Sequence, residues 1–218
     1  MIGFVPGNRA MSLHLWLAFA AASAVVLIIP GPTLLTVISY SLAHGRRASA
    51  ALVAGVALGD ATALVVSLLG LGALLATSTF WFTVVKLAGG LYLLYLGLRL
   101  LRSGIAAAHF DLKPVPASRW RLFANTYAVT ALNPKGITFF VAFLPQFIDP
   151  AGDVARQHWV LATTFVVLAA INAMVYAFFA SAASRLLVSP RARRGFHLTG
   201  GSFLSVAGIW ALLARRAV

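Results

Sequence analysis

The sequence contains no cysteine. Disulfide bonds, iron–sulfur clusters and thiolate zinc sites all require cysteine, so each of them is excluded. Because disulfides are the usual marker of an oxidising compartment, the sequence leaves the redox environment of the chain open.

Charged residues are scarce as well, at 10% of the chain, whereas 61% of its residues are hydrophobic and the mean hydropathy is +0.93. Soluble domains carry roughly 25% charged and about 45–50% apolar residues. The composition therefore excludes a water-soluble globule, and it excludes a disordered chain, which requires low hydrophobicity. Since a bilayer-spanning helix needs roughly 20 apolar residues, the chain is long enough for about six spans without a separate soluble domain.

Acidic residues are the rarest charged type, since there is no glutamate and only 4 aspartates accompany 14 arginines and 3 lysines. The cations lie in short clusters between apolar runs, where they would contact lipid headgroups, so the net charge of +13 does not indicate a nucleic-acid partner. Enzyme motifs such as His-Glu-x-x-His and Gly-x-Ser-x-Gly are absent, and Asp60 is the only acid within an apolar run. We therefore expect neither an enzyme nor a bound cofactor or metal.

Six apolar runs follow one another along the chain, and none shows the alternation of a β-strand. We predict an all-α integral membrane protein in which residues 1–218 form a single transmembrane domain of six helices. The runs cover residues 13–43, 48–76, 80–101, 122–147, 159–183 and 196–214. Pro30-Gly31-Pro32 interrupts the first run and Asn133-Pro134 the fourth, so we predict that the first and fourth helices are broken.

The loops between the runs differ in charge. Eleven cations fall on one side of the predicted topology and four on the other. The positive-inside rule places the first set, with loops 102–121 and 185–194, in the cytoplasm and both termini outside. A re-entrant first segment would instead reverse the N-terminus.

The two halves of the sequence share features at a nearly constant offset. The third and sixth runs each contain a glycine pair and a further glycine seven residues later, 111 residues apart. Asp60 corresponds to a position next to Asn172, and the break in the first run corresponds to the break in the fourth. We interpret about 11–105 and about 118–218 as two three-helix repeats with opposite orientations, as in many secondary transporters. A duplicated channel or scaffold is the alternative.

The residues at the two breaks suit the start of a new helix. Asn133 is a typical N-cap, and Pro134 is tolerated at the first helical position, which needs no N–H donor. The N-terminus of each restarted helix would direct amides and a positive dipole end toward an anionic group. The alternative is that each break only kinks a helix for packing. The candidate substrate-binding residues at the breaks are Pro30, Gly31, Pro32, Thr33, Asn133, Pro134 and Lys135.

Asp60 lies near the middle of the second run. A carboxylate at the bilayer centre costs at least about 2.5–3.5 kcal/mol, so it should face protein or water. We interpret Asp60 as the group that binds a substrate ammonium, carries the coupled proton, or does both in turn. The alternative is a structural carboxylate paired with Lys86 or Lys135. Lys135 would either receive a substrate carboxylate or neutralise Asp60, and Asn172 would either bind substrate or join two helices.

Several motifs resemble the lysine exporter (LysE/RhtB) family, in order and over nearly the whole chain from Met11. In the first half they are Pro30-Gly31-Pro32, Gly45-Arg46-Arg47, Gly55-x-x-x-Gly59-Asp60 and Gly89-Gly90-Leu91-Tyr92-Leu93-Leu94-Tyr95-Leu96-Gly97. In the second half they are Asn133-Pro134-Lys135, Phe139-Phe140 and Leu144-Pro145-Gln146-Phe147. Thr33 departs from the family pattern, in which many members carry asparagine after the second proline.

The resemblance implies an exporter of amino acids or close derivatives in the bacterial inner membrane, driven by the proton motive force and often dimeric. Its members export basic amino acids, threonine, homoserine and related lactones, or leucine-like compounds. We therefore expect alternating access, with the substrate carboxylate at the helix N-termini, its ammonium at Asp60 and a proton moving in antiport. The rival hypothesis is a non-transporting membrane scaffold or assembly protein that retains the exporter fold.

Overall fold

The computed structural model describes residues 11–29, 31–77, 79–102, 117–180, 182 and 189–213. Regular structure in these residues is entirely helical, which confirms the predicted all-α fold class. The α-helices are α1 Leu13–Ile28, α2 Pro32–His44, α3 Ser49–Thr77, α4 Thr79–Arg102, α5 Arg119–Ala131, α6 Pro134–Thr138, α7 Val154–Phe178 and α8 Pro190–Leu213.

Some of these helical segments are long and apolar enough to cross a membrane. Among the described residues they are Arg46–Gly70, Arg119–Phe147 and Val154–Phe178. Helices α1 and α2, which are bent by 55° at their junction, count as a fourth if the pair forms one span. Three or four spans are therefore supported, and the count of six stays a prediction.

The first break separates α1 from α2. Helix α1 ends at Ile28, and α2 begins at Pro32 with Gly31 as its N-cap. Proline suits this position because the first helical residue needs no N–H donor. The break therefore lies where the sequence predicts it, although Pro30 itself is outside the described residues.

The second break follows α5, which ends at Ala131. Asn133 caps α6, because its side-chain oxygen accepts a hydrogen bond of 3.1 Å from the backbone N–H of Lys135. Pro134 is the first residue of α6. After α6 the chain continues as a π-helical turn over Phe139–Phe143 and a 3₁₀ turn over Leu144–Phe147. The predicted break is therefore present as a short interruption within Arg119–Phe147, a segment that still counts as one span. The run beyond it is more irregular than a single helix.

Helices α7 and α8 begin well before their apolar runs. Helix α7 starts at Val154 because Asp153 caps it, accepting a hydrogen bond of 3.0 Å from the N–H of Arg156. Helix α8 starts at Pro190, so Arg191 and Arg194 are helical residues. The hydropathy pattern instead predicts a loop over residues 185–194. Hydropathy marks the apolar part of a helix, whereas caps and N-terminal proline mark its start.

Helices α4 and α8 pack closely through glycines. A Cβ on Gly208 would lie 2.7 Å from the carbonyl oxygen of Gly90, and one on Gly201 would lie 2.9 Å from that of Gly97. The two helices are antiparallel, since the later glycine of one meets the earlier glycine of the other. At the offset of 111 residues, Gly90 corresponds to Gly201 and Gly97 corresponds to Gly208. The contact between Gly90 and Gly208 is therefore the counterpart of the contact between Gly97 and Gly201, as expected for a two-fold relation.

Helix α3 packs on α5 through small residues next to Asp60. A Cβ on Gly55 would lie 3.0 Å from Cβ of Thr126, and one on Gly59 would lie 2.7 Å from Cβ of Thr130. The helices approach this closely because glycine has no side chain. The contact holds Asp60 beside the end of α5, where the second break begins.

A cluster of buried phenylalanines packs the irregular segment after α6 against α1 and α7. The ring of Phe165 on α7 lies 4.7 Å from that of Phe140 and 5.7 Å from that of Phe139, measured between centroids. The ring of Phe147 lies 5.4 Å from that of Phe19 on α1. Such ring pairs are favourable contacts, and they fix the segment that follows the second break.

Candidate functional site

A small internal cavity lies where the two helix breaks meet. Its volume is about 30 Å³, and roughly 10–15 Å³ of such space suffices for one bound water. Six of the residues predicted to form a site line this cavity: Gly31, Thr33, Asp60, Asn133, Lys135 and Asn172. The predicted residues Pro32 and Pro134 lie at the exposed first positions of α2 and α6. Pro30, also predicted, is outside the described residues.

A side-chain hydrogen bond joins the two breaks directly. Nδ2 of Asn133 donates to Oγ1 of Thr33 at 3.1 Å. Asn133 is buried, with 6% of its surface exposed, and its side-chain oxygen caps α6. One asparagine therefore ends the second break and holds it against the first residues of α2.

Asp60 is buried on α3, with 6% of its surface exposed. Within the described part of the chain, its carboxylate accepts no hydrogen bond from another residue. A Cβ on Gly136 would lie 3.9 Å from Oδ1 of Asp60, so the carboxylate stands beside the first turn of α6. Asp60 and Lys135 also interact electrostatically across the cavity. The carboxylate is thus placed to receive a cation or a proton from the cavity.

Lys135 binds the end of α1. Its Nζ donates to the carbonyl oxygens of Val26 and Ile29, at 2.8 Å each. Among the described residues it forms no hydrogen bond to Asp60, and its two predicted roles, binding a substrate carboxylate and neutralising Asp60, stay predictions. The C-terminal end of a helix carries unpaired carbonyls and a partial negative charge, which an ammonium group stabilises.

Gly31 provides the space that the Lys135 ammonium occupies. A Cβ at Gly31 would lie 3.3 Å from Nζ and 3.5 Å from Cε of Lys135. The backbone of Gly31 is extended, with φ of −147° and ψ of −177°, a conformation open to any residue. A larger residue here would therefore press on the lysine and would not strain the backbone.

Two further side chains from α7 bind the same helix end. Nδ2 of Asn172 donates to the carbonyl oxygen of Leu27 at 3.2 Å, and the hydroxyl of Tyr176 donates to that of Ile28 at 3.4 Å. Together with Lys135, they supply donors to four consecutive carbonyls, from Val26 to Ile29. Asn172 thus joins two helices, which was one of its two predicted roles, while its position in the cavity wall leaves substrate contact open.

Sequence reasoning missed the carbonyl oxygens of α1 and the tyrosine that binds one of them. Every residue has a backbone carbonyl, so the residue types along a sequence do not show which carbonyls will bind side chains. Tyr176 has a weak signal, because it follows Asn172 by four positions and so shares its face of α7. The side chain of Lys86, the other lysine predicted as a partner of Asp60, is not among those that the structure describes.

The arrangement combines one carboxylate, one ammonium and two helix N-termini around a single space. Opposite charges on two sides of a cavity suit a zwitterion. The described residues contain no group of three or more His, Cys, Asp or Glu that could hold a metal ion. A larger cleft of about 310 Å³ is lined by Trp16, Asp153 and Arg156, but it contains none of the residues at the breaks.

Comparison with known proteins places these observations in a family. The family model described as LysE type translocator matches residues 24–215. A homoserine/homoserine lactone efflux protein of Salmonella typhi is 32% identical over 209 residues, covering 95% of this chain and 100% of the relative. An uncharacterized membrane protein of Vibrio cholerae is 32% identical over 212 residues, covering 94% of this chain and 100% of the relative.

A third relative, an uncharacterized membrane protein of Bacillus subtilis, is 28% identical over 208 residues, covering 90% of this chain and 98% of the relative. No solved structure matches the chain significantly. The family is one of translocators and not of enzymes. The apolar helices of this chain are those of a multi-pass membrane protein. With its family model matched over nearly the whole length, this chain belongs to the LysE type translocators.

Proposed function

We propose that the protein exports an amino acid or a close derivative across the bacterial inner membrane by proton antiport. The observation that carries the proposal is that residues of both helix breaks line one cavity together with Asp60, the only acid within an apolar run of the sequence. Broken helices that meet at one point are typical of secondary transporters, whose sites lie between repeats near the middle of the membrane. The substrate carboxylate would bind near the N-termini of α2 and α6, and its ammonium would bind Asp60.

Two inverted three-helix repeats would provide the alternating access that export requires. In this arrangement each span of the first repeat has an equivalent in the second. The equivalent pairs are α1–α2 and α5–α6, α3 and α7, and α4 and α8. The antiparallel, reciprocal glycine contacts of α4 and α8 support the pairing. So does the hydrogen bond between Thr33 and Asn133, which lie at equivalent breaks. Rocking of one repeat against the other would open the cavity to each side in turn.

A neutral side chain is the substrate class that the charges favour. Asp60 is the only acid in an apolar run, so a basic amino acid would leave one of its two cations without a carboxylate. The relative from Salmonella typhi is named for efflux of homoserine and homoserine lactone. Homoserine and its lactone share an ammonium, whereas the lactone has no free carboxylate. We therefore propose a homoserine-like substrate whose ammonium is the principal group recognised.

Proton coupling is assigned to Asp60. Protonation from the outer side would remove the negative charge that holds the ammonium, and the substrate would then leave. Binding of the next substrate inside would require the carboxylate to lose that proton. Proton and substrate thus bind the same group alternately, which is sufficient for antiport.

Flux into and out of proteoliposomes tests the function against the rival hypothesis of a non-transporting scaffold. Purified protein is reconstituted with labelled homoserine, and efflux is measured with and without an imposed proton gradient. Gradient-dependent efflux that exceeds that of empty liposomes supports the exporter. No flux of homoserine, its lactone, threonine or lysine in either condition would support the scaffold.

A further inference from the structure

The end of α1 is built as a binding site for an ammonium group. A helix leaves its last carbonyls without partners, and here they point into protein at a break between two helices. The oxygens of Val26 and Ile29 converge on one nitrogen, Nζ of Lys135, at 2.8 Å each. Their neighbours Leu27 and Ile28 bind Asn172 and Tyr176, so the pair that faces the lysine is fixed in place.

Charge and space around this pair also suit a cation. The carboxylate of Asp60 lies across the cavity and attracts the same ammonium. Gly31 leaves room for the group, because any Cβ there would lie 3.3 Å from Nζ. An ammonium has three N–H donors, two of which are bonded to these carbonyls. The site therefore suits a compact primary ammonium.

This conformation leaves little room for a substrate beside Lys135. The cavity has a volume of about 30 Å³, and a single bound water needs roughly 10–15 Å³ of such space. An amino acid needs more room than that, and release of Lys135 from the carbonyls would supply it. Without replacement, two buried carbonyl oxygens and the negative end of α1 would lose their cation.

We infer that the carbonyl oxygens of Val26 and Ile29 form a site for a primary ammonium, held by Lys135 in this conformation and taken by the substrate ammonium during transport. The third N–H of the substrate ammonium would then be free to bind Asp60, the partner that the proposed function gives it. The second part of this inference rests on the proposed function. Lys135, once released, meets the substrate carboxylate at the N-terminus of α2. The substrate ammonium replaces the Lys135 ammonium at the two carbonyls, so the charge bound to the carbonyls stays the same.

Removal of the lysine side chain should create an ammonium site that can be filled from solution. In purified Lys135→Ala, ethylammonium chloride should raise the midpoint of thermal unfolding in a saturable manner. At 100 times its dissociation constant, it should lower the ratio of unfolded to folded variant about 100-fold. Ethanol, which has the same shape without the charge, should have no such effect.

Matched variants define the result that would overturn the inference. Wild type, Lys135→Arg and Lys86→Ala, which removes the lysine of α4, should not respond to ethylammonium. The inference is wrong if Lys135→Ala shows no saturable rise, or if all four proteins respond equally. This experiment needs no transported substrate, so it separates failure of the ammonium site from failure of the proposed function, which the flux assay measures.

The wild-type protein provides the test if Lys135→Ala aggregates in both ethylammonium and potassium chloride. Ethylammonium should then compete with homoserine for binding to wild type. The analogue γ-hydroxybutyrate, which is homoserine without its amine, should compete at least tenfold more weakly. Equal or stronger competition by γ-hydroxybutyrate would overturn the assignment of the carbonyl pair to the ammonium.

Discussion

The side-chain amide of Asn133 donates a hydrogen bond of 3.1 Å to the hydroxyl of Thr33, and so ties together two helix breaks that lie 100 residues apart in the chain. The same asparagine caps α6 through its oxygen. Both of its polar atoms are therefore bonded, and the two breaks are in direct contact beside the cavity.

Loss of the Thr33 hydroxyl should weaken the junction of the two breaks. Thr33→Val keeps the shape of the side chain but leaves Nδ2 of buried Asn133 without its acceptor. Such an unpaired group costs about 1–3 kcal/mol, which chemical denaturation in detergent can measure. Thr36→Val is the matched control, since the hydroxyl of Thr36 bonds only to Pro32 of its own helix. Equal destabilisation by the two variants would show that the bond between the breaks contributes nothing.

Gly31→Ala should impair transport through Lys135 and not through the backbone. The added Cβ would lie 3.3 Å from Nζ, so the ammonium must shift by a few tenths of an ångström. We expect export to fall about tenfold, the factor that corresponds to about 1.4 kcal/mol, with little change in secondary structure. Gly70→Ala is the control, because a Cβ there meets nothing within 4 Å. Wild-type export by Gly31→Ala would contradict the account of Lys135.

The glycine contacts of α4 and α8 should be equally sensitive in the two halves. A Cβ on Gly208 would lie 2.6 Å from the backbone nitrogen of Leu94, so the helices must separate. Gly208→Ala and its repeat equivalent Gly97→Ala should each lower the free energy of unfolding by about 1–3 kcal/mol, as overpacking does. Gly195→Ala, also on α8, has open space around its Cβ and should be neutral. A large effect in only one half would argue against the two-fold relation.

Much of the fold and part of the site follow from residue types. Pro32 and the Asn133-Pro134 pair predict two helix starts because proline lacks an N–H and asparagine caps helices. Asp60 is predicted as a site residue because an intramembrane carboxylate must face protein or water. The binding of Lys135 to Val26 and Ile29 could not be predicted, since it depends on backbone carbonyls that only the tertiary structure brings near the lysine.

Orientation in the membrane is open to direct chemical labelling, because the chain has no cysteine of its own. The positive-inside rule predicts that cysteines introduced at Lys113 and Arg191 face the cytoplasm. An impermeant thiol reagent should label them only after the cells are permeabilised. A cysteine at Ala151, an exposed residue of the opposite set of loops, should be labelled in intact cells. Labelling of positions 113 or 191 from outside intact cells would reverse the assignment.

Proton movement during export by Asp60→Asn tests the central claim most directly. Asparagine keeps the shape of the side chain and removes a buried charge, so the variant should fold and insert. In proteoliposomes with a pH-sensitive dye inside, wild-type protein should acidify the lumen as homoserine leaves. We predict that Asp60→Asn shows neither gradient-driven efflux nor acidification. Efflux at the wild-type rate with an unchanged number of protons per homoserine would contradict the account, because Asp60 would then be a structural carboxylate.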